Sequence, residues 1–479
     1  MKTAGATFIL AAMATACSTI PDVGNLGGEP VAVFPVAPDA PDTWVASGVS
    51  GEAPSGPWLE QFQDETLEAL VSEALSANPS LRSQYFATEA VRAQARSVLG
   101  RSRPNVGATT DIGVTSVYIE QLDERSDDPS FGLGLGLNWE IDLWGRIRAG
   151  IDAAEADLLV SEADLAGAQL TVASQTAISW IDLNAALAQE RVAVQTFEAR
   201  ERALDLTERR LSRGLSTALD VRTARTTLAS AEATIALRRQ QSKEAARRLE
   251  SLLGRYPAAE IEAPASLPDL APLQPGGSPA LLLSRRADVD AEEGRDVDAG
   301  LRAEQARLAL LPSLTITGSA STTEDDFADA FDPGRIAARL FAGFAAPIFN
   351  GGALAAEREA ALFSARVSVE NYAFTALTAW REVEDAITAD ALLAQQVDAL
   401  TIALEEARLA EDLAVRQYTN GLVSIFNLID SQTRRLNAES QLITAQAQRA
   451  SNRVQYHLAL GGGLPIERPA DPIPQDMIQ

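Results

Sequence analysis

Residues 145–180, GRIRAGIDAAEADLLVSEADLAGAQLTVASQTAISW, decide how this chain is built. Ile151, Leu158, Leu165 and Val172 recur every seven residues, and Phe197, Leu204 and Leu211 resume the spacing farther on. A sustained seven-residue period marks coiled-coil-like packing rather than a compact globular bundle. No proline interrupts the run before Arg213, so the pattern predicts one helix over about 146–213. At roughly 1.5 Å per residue such a helix is about 100 Å long, several times an ordinary globular helix.

Between the sevens stand mostly small residues, among them Ala153, Ala154, Ala163, Ala166 and Ala168. A solvated two-stranded coil places Glu and Lys at such positions; small residues let a helix approach neighbours on two sides. The expected arrangement is helices side by side in a curved wall. A shorter helix opens near Thr66, with Leu67, Leu70, Val71 and Leu75 at helical spacing.

Two regions alternate with period two instead. Val106, Ala108, Thr110, Ile112, Val114 and Ser116 precede Phe131, Leu133, Leu135, Leu137 and Trp139; Leu314, Ile316 and Gly318 precede Leu340, Phe341, Phe344 and Ile348. Each reads as a hairpin with a polar, acidic connection (120–128 and 322–332), giving strands at about 105–118, 131–143, 313–323 and 336–349. The limbs match the roughly 9–11 residues that a tilted membrane strand needs. Four strands cannot close a barrel, so the sheet must close between chains.

The chain is duplicated. Pro104 and Pro312 lead from helix into strand, Gly145 and Gly351 open the long helices, Gly214 and Gly421 break them, and Gly254 and Gly461 end the returning helices; each pair is 206 to 208 residues apart. One repeat is expected over 58–257 with its tip at 214–217. The other is expected over 279–463, with a long helix at about 353–420 and its tip at 421–424. Proline-rich stretches form an arm (17–57), a linker (258–278) and a tail (464–479).

With one His, one Cys and 46% hydrophobic residues, the composition leaves no metal set, disulfide or His-bearing nucleophile arrangement, and no cofactor is expected. A formal charge of -26 repels a phosphate backbone, so nucleic acid is not an expected partner. Lys2, the apolar run Ala6–Ala14 and the small residues before Cys17 resemble a bacterial lipoprotein signal: 1–16 is removed and Cys17 carries lipid such as palmitate. Ser18 resembles the outer-membrane sorting preference. Every later apolar run is read as interrupted by charge, so a bilayer crossing would have to be a β-barrel.

In this order the motifs resemble the TolC- and NodT-type outer-membrane factors of tripartite efflux pumps. Trp58, Phe62, Asp64, Leu67, Leu70, Ala74, Leu75 and Asn78-Pro79 resemble the family's opening helix. Asp142-Leu143-Trp144-Gly145-Arg146 and Pro347-Ile348-Phe349-Asn350-Gly351-Gly352 resemble its strand-to-helix junctions. Arg416-Gln417-Tyr418-Thr419-Asn420-Gly421 with Leu428-Ile429-Asp430-Ser431-Gln432 resembles its second tip, and Leu458-Ala459-Leu460-Gly461-Gly462-Gly463 its last helix end. The resemblance implies a mainly α fold with a small β part. Three chains with four strands each would make a 12-stranded barrel in the Gram-negative outer membrane, above a 12-helix barrel in the periplasm. It also implies a periplasmic adaptor (membrane fusion) protein, an inner-membrane transporter of the resistance-nodulation-division type, and no catalysis.

The resemblance places adaptor contact at Gly214, Leu215 and Ser216 with Thr217, and at Gly421, Leu422, Val423 and Ser424. Independently, glycine permits the tight reversal, an exposed Leu is an apolar knob, and Ser216 or Ser424 can cap the returning helix. A periplasmic gate would use Arg416, Tyr418 and Asp430, with Asp220 in the first repeat; the alternative for both aspartates is first-turn compensation of the helix dipole. Some relatives carry an acid where Val423 stands, which weakens an acidic gate at that level. His457 is expected to pack or be solvated. Glu292 and Glu293 with Asp288, Asp290, Asp296 and Asp298 read as a solvated face, or a weak cation site.

The expected function is a passive duct carrying small solutes such as drugs or metals. A duct for type I protein secretion is the alternative, and the lipid anchor favours efflux. A periplasmic coiled-coil spacer lipoprotein is the reading from another class, and it would not need strands of membrane length. The acidic excess points to a cation-preferring lumen.

Overall fold

A computed structural model describes residues 40–47, 58–119, 123–273 and 276–462. The export signal, Cys17, most of the arm and the C-terminal tail lie outside the described residues. The elements run α1 Glu65–Ala77, α2 Pro79–Gly100, β1 Asn105–Ile119, β2 Glu124–Ile141, α3 Arg146–Ser212, α4 Ala218–Leu252, the short α5 Pro279–Leu282, α6 Ala287–Leu308, β3 Ser313–Glu324, β4 Ala337–Ala345, α7 Ala353–Thr419 and α8 Ile425–Ala459. Helices α3 and α7 have 67 residues each, and α4 and α8 have 35 each, so the two halves are the same device built twice.

Local chemistry sets the joints. Asp64 caps α1 by accepting from the Thr66 and Leu67 amides at 3.0 and 3.1 Å. Asn78 caps α2, whose first residue is Pro79, and donates its Nδ2 to the Leu252 carbonyl at 2.8 Å, tying α2 to the end of α4. Gly145 and Gly352 adopt φ of 85°, the left-handed turn from strand into long helix. Asp142 accepts from the Ile147 and Arg148 amides, and Trp144 Nε1 donates across the repeats to the Pro312 carbonyl.

The sheet is antiparallel in the order β1-β2-β3-β4. Its register aligns Ile112, Phe131 and Glu324 on one face, with Thr110, Leu133 and Thr322 beside them. That face also carries Val106, Val114, Leu135, Leu314, Ile316, Leu340 and Phe344. The opposite face is Gly132, Gly134 and Gly136 with Ser319, Ser321 and Thr323, together with Asp111, Arg339 and Phe341. Within the chain β1 and β4 are edges.

Three expectations need correction. Strand β2 begins at Glu124, not 131, because residues 124–128 of the expected connection, Glu124, Asp127 and Asp128 among them, pair with Thr115–Ile119; backbone hydrogen bonds hold them in a strand without apolar side chains. Strand β4 stops at Ala345, before Pro347, which has no N–H to give the ladder. Contrary to the sequence reading, α7 contains a window apolar enough, by length and composition, to cross a membrane. It exposes Leu362, Phe363, Val367, Phe374 and Leu377, and most of that window is unburied in a single chain.

The bulky core lies where the linkers meet the helices. Trp58, Phe62, Leu67 and Val71 pack on Trp180, Ile181 and Leu183 of α3, Leu249 of α4 and Val454 of α8. A second cluster seats Trp44 among Leu282, Val289, Val383 and Tyr456. Each such side chain contributes about 1.5–3 kcal/mol by leaving water. Buried Glu250 fastens the linker by accepting from the Ala259 and Glu260 amides at 2.7 and 2.6 Å. Desolvation opposes its charge, but these backbone donors win and hold the carboxyl below its usual range.

Candidate functional site: the paired helical tips

Both long helices reverse through a left-handed glycine, Gly214 at φ 73° and Gly421 at φ 79°. The Leu215 amide donates back to the Arg210 carbonyl, and the Leu422 amide to the Gln417 carbonyl, at 2.9 Å each. These are the bonds of a glycine-terminated helix end. At the apex Leu215 and Leu422 are exposed, 61% and 74%, and one turn into the returning helices Leu219 and Phe426 are exposed as well. Four apolar side chains therefore stand in water at related positions of the two repeats.

The cap of α4 is Thr217, not Ser216 as expected. The Asp220 amide donates to the Thr217 hydroxyl at 3.2 Å and the Thr217 amide to the Asp220 carboxylate at 2.8 Å, a reciprocal capping box. Ser216 instead donates its hydroxyl to Asp220 at 2.8 Å. The Thr217 amide foremost, aided by both hydroxyls, holds the Asp220 carboxyl below its usual range. In the second repeat Ser424 stands at the cap without bonding the helix backbone, and its hydroxyl donates to the Asn427 side chain at 2.7 Å.

Beneath the apices Ala203, Ala414, Tyr418, Ile425 and Leu428 form a small core, with Val423 packed on it half-buried. Tyr418 is 2% exposed and shares a 2.8 Å hydrogen bond with the Thr207 hydroxyl. Within one chain it is a packing residue of the tip. Arg416 is exposed on α7; exposed Asp430 pairs with Arg434 at 2.8 Å, an i,i+4 pair on one helix. Asp220 bonds within its capping box. Among the described residues, Tyr418, Asp220 and Asp430 each bond to other partners, and no contact joins the four gate candidates within the chain.

Sequence reading missed two arginines here. Arg210 donates to the Tyr418 carbonyl at 2.7 Å and the Leu215 carbonyl at 3.1 Å, and its guanidinium lies 4.9 Å over the Tyr418 ring. Buried Arg200 spans α3 and α8, donating to Gln432 and Thr433 at 2.8 Å each, and burial pushes its pKa down. For Arg210 the available signal was positional: basic residues in the last turn of a helix seek carbonyls.

The acidic stretch of α6 also needs correction. Arg295 bridges Asp164 and Glu292, Arg302 bridges Asp157 and Asp298, and Ser368 donates to Asp296. Part of this face is therefore an ion-paired seam against α3 and α7, because arginines on the same helix reach across it, while Asp290 and Glu293 are exposed as a solvated face would have them. His457 is buried, stacked on Trp58, with a ring nitrogen 3.1 Å from Gln61.

A family profile described as outer membrane efflux protein matches residues 70–255 and 279–462, one stretch in each repeat. The pyoverdine export outer membrane protein OpmQ of Pseudomonas aeruginosa is 30% identical over 444 residues, covering 90% of this chain and 92% of its own. Outer membrane protein OprJ of the same species is 30% identical, over 92% and 94% of the two chains. Among solved structures, the outer-membrane channel OprN superposes with a TM-score of 0.80 at 25% identity, covering 90% of this chain and 98% of its own.

Proposed function

Since this chain belongs to the outer membrane efflux protein family, we propose that it is the passive, trimeric exit duct of its pump, engaging a periplasmic adaptor through its helical tips. It is the outer-membrane channel component of a tripartite efflux system in a Gram-negative cell, and it reaches from the outer membrane into the periplasm.

The observation that carries the trimer is the four-stranded sheet with two open edges and one apolar face. A single copy leaves the amides and carbonyls of β1 and β4 unpaired, which hydrocarbon does not tolerate. Joining β4 of one copy to β1 of the next satisfies both and puts the glycine- and serine-lined face on the lumen. The exposed apolar side chains of α7 would be covered by the same assembly. A spacer has no use for such a sheet.

Leu215 with Leu219, and Leu422 with Phe426, are the adaptor-facing knobs. They are apolar, solvent-exposed, and mounted on reversals fixed by glycine and caps. The transporter below the adaptor would be of the resistance-nodulation-division type, and Cys17 the lipid anchor. Small organic solutes are the cargo, by analogy with a relative named for pyoverdine export. No bond-making step is asked of any residue. Planar-bilayer recording of the purified protein tests the duct: unitary conductance steps are expected, together with heat-sensitive migration as a trimer. A stable monomer without conductance would overturn it.

A further inference from the structure

The β3–β4 connection, residues 325–336, does not stand over the end of the sheet; it folds down against one face. The Thr322 hydroxyl donates to the Ala330 carbonyl at 2.7 Å, and both residues are buried. Phe327 packs edge-on against Phe131 with centroids 5.5 Å apart, and Phe331 against Phe327 at 5.3 Å. Arg335 pairs with Glu324 at 2.7 Å and with Asp329 at 3.0 Å. By register Thr322, Phe131 and Glu324 all lie on the apolar face, the one that also carries Ile112, Val114 and Leu133. The polar, glycine-rich face, which would line the pore, meets none of these contacts.

A closed barrel in lipid turns its apolar face outward. We propose that residues 325–336 form a foot on the outside of the barrel at its extracellular rim, seating Phe327 and Phe331 in the outer leaflet and leaving the pore mouth uncovered by this loop. The occupant is membrane lipid at the boundary between headgroups and acyl chains. Continuity argues for it, since the two rings, 56% and 58% exposed, extend the lipid-facing band of β1 and β2 without a polar break. Membrane barrels carry girdles of aromatic residues at that depth, and Phe is among the side chains that bury at the headgroup–acyl boundary. Arg335 gathers the carboxylates of Glu324, Asp329 and Asp332 beside the rings and so lessens the charge that this acidic segment brings to a membrane.

The inference rests on the barrel reading, and the test separates the two. The full-length Phe327→Trp protein is reconstituted into phosphatidylcholine vesicles containing lipid brominated near the headgroup, and its emission is compared with that of the parent. Of the six native tryptophans, Trp139 and Trp144 lie at the other rim of the sheet, so the lipid-quenchable part of the parent's emission reports whether the barrel is in the membrane at all; no lipid quenching of the parent sinks the barrel reading itself. With the parent quenched, the added emission is expected to fall by about half or more with brominated lipid and to resist aqueous iodide. Iodide quenching equal to or stronger than lipid quenching overturns the foot. Should Phe327→Trp fail to trimerise, Phe331→Trp carries the same readout.

Discussion

The guanidinium of Arg210 donates to the main-chain carbonyl of Tyr418 at 2.7 Å while lying 4.9 Å over the ring of the same tyrosine. One side chain at the end of α3 thereby holds the end of α7, and through the Leu215 carbonyl it also holds its own turn. Charge-assisted hydrogen bonds of this kind contribute about 1.5–3 kcal/mol each when shielded, and less here because the site is only half-buried. Arg210→Ala is expected to raise amide hydrogen exchange at 415–422 about tenfold, with little change at the core around Trp58 and Trp180. Unchanged exchange there would show that the clamp is incidental.

Asp220 separates a gate from a cap. As a capping residue it accepts from the Thr217 amide, which Asn can also do. Asp220→Asn should therefore keep the start of α4 ordered, whereas Asp220→Ala should cost about 1 kcal/mol. The carboxyl is depressed in the folded state, so its contribution is present above the unfolded value and is lost as pH falls through the folded one. Circular dichroism melts of the two variants at neutral pH decide the point. Equal loss in both would return Asp220 to an electrostatic role.

Leu215 and Leu422 crown the tips without touching the tip core. Leu215→Asp with Leu422→Asp should leave trimer formation and thermal stability within about 0.5 kcal/mol, as exposed sites do. Binding to the purified cognate adaptor should weaken at least tenfold, since a charge in an apolar contact is left unpaired. Surface plasmon resonance against the immobilised adaptor measures it, and undiminished binding would remove the tips from the interface.

The duplication, the long helices, both glycine reversals and the alternating strands were legible because each rests on local chemistry with a fixed period or a required backbone angle. The Thr217 cap, half of a box with Asp220, was within reach, since the Thr-x-x-Asp spacing stands in the sequence. What escaped is what depends on a distant partner. The burial of Tyr418 follows from Thr207 and Arg210, some 210 residues earlier, and the reach of Arg295 and Arg302 from α6 to Asp164 and Asp157 crosses to another helix. The foot of residues 325–336 reads as an ordinary acidic loop until Thr322, Phe131 and Glu324 are seen to share a face.

His457, stacked on Trp58, gives the core beneath the linker an acid sensitivity of calculable sign. Burial chiefly, with Arg453 nearby, lowers its pKa to about 4 from an ordinary 6.5. The unfolded chain therefore binds a proton that the folded chain refuses anywhere between those values. Stability from this residue is complete above about pH 6.5, declines as pH falls, and has no more to lose below about 4. The full loss is on the order of 3 kcal/mol per protomer, and the ring is buried enough that solvent screening relieves little of it. His457→Phe preserves a ring stacked on Trp58 while forgoing the Gln61 hydrogen bond, so it should be somewhat less stable at pH 7 and lose less between pH 7 and 4.5. Glu250 adds its own decline only at lower pH, because its carboxyl is depressed below the usual range. Denaturant unfolding in detergent at the two pH values compares the slopes, and parallel losses in parent and variant would mean that the histidine is reached by solvent and charges without penalty.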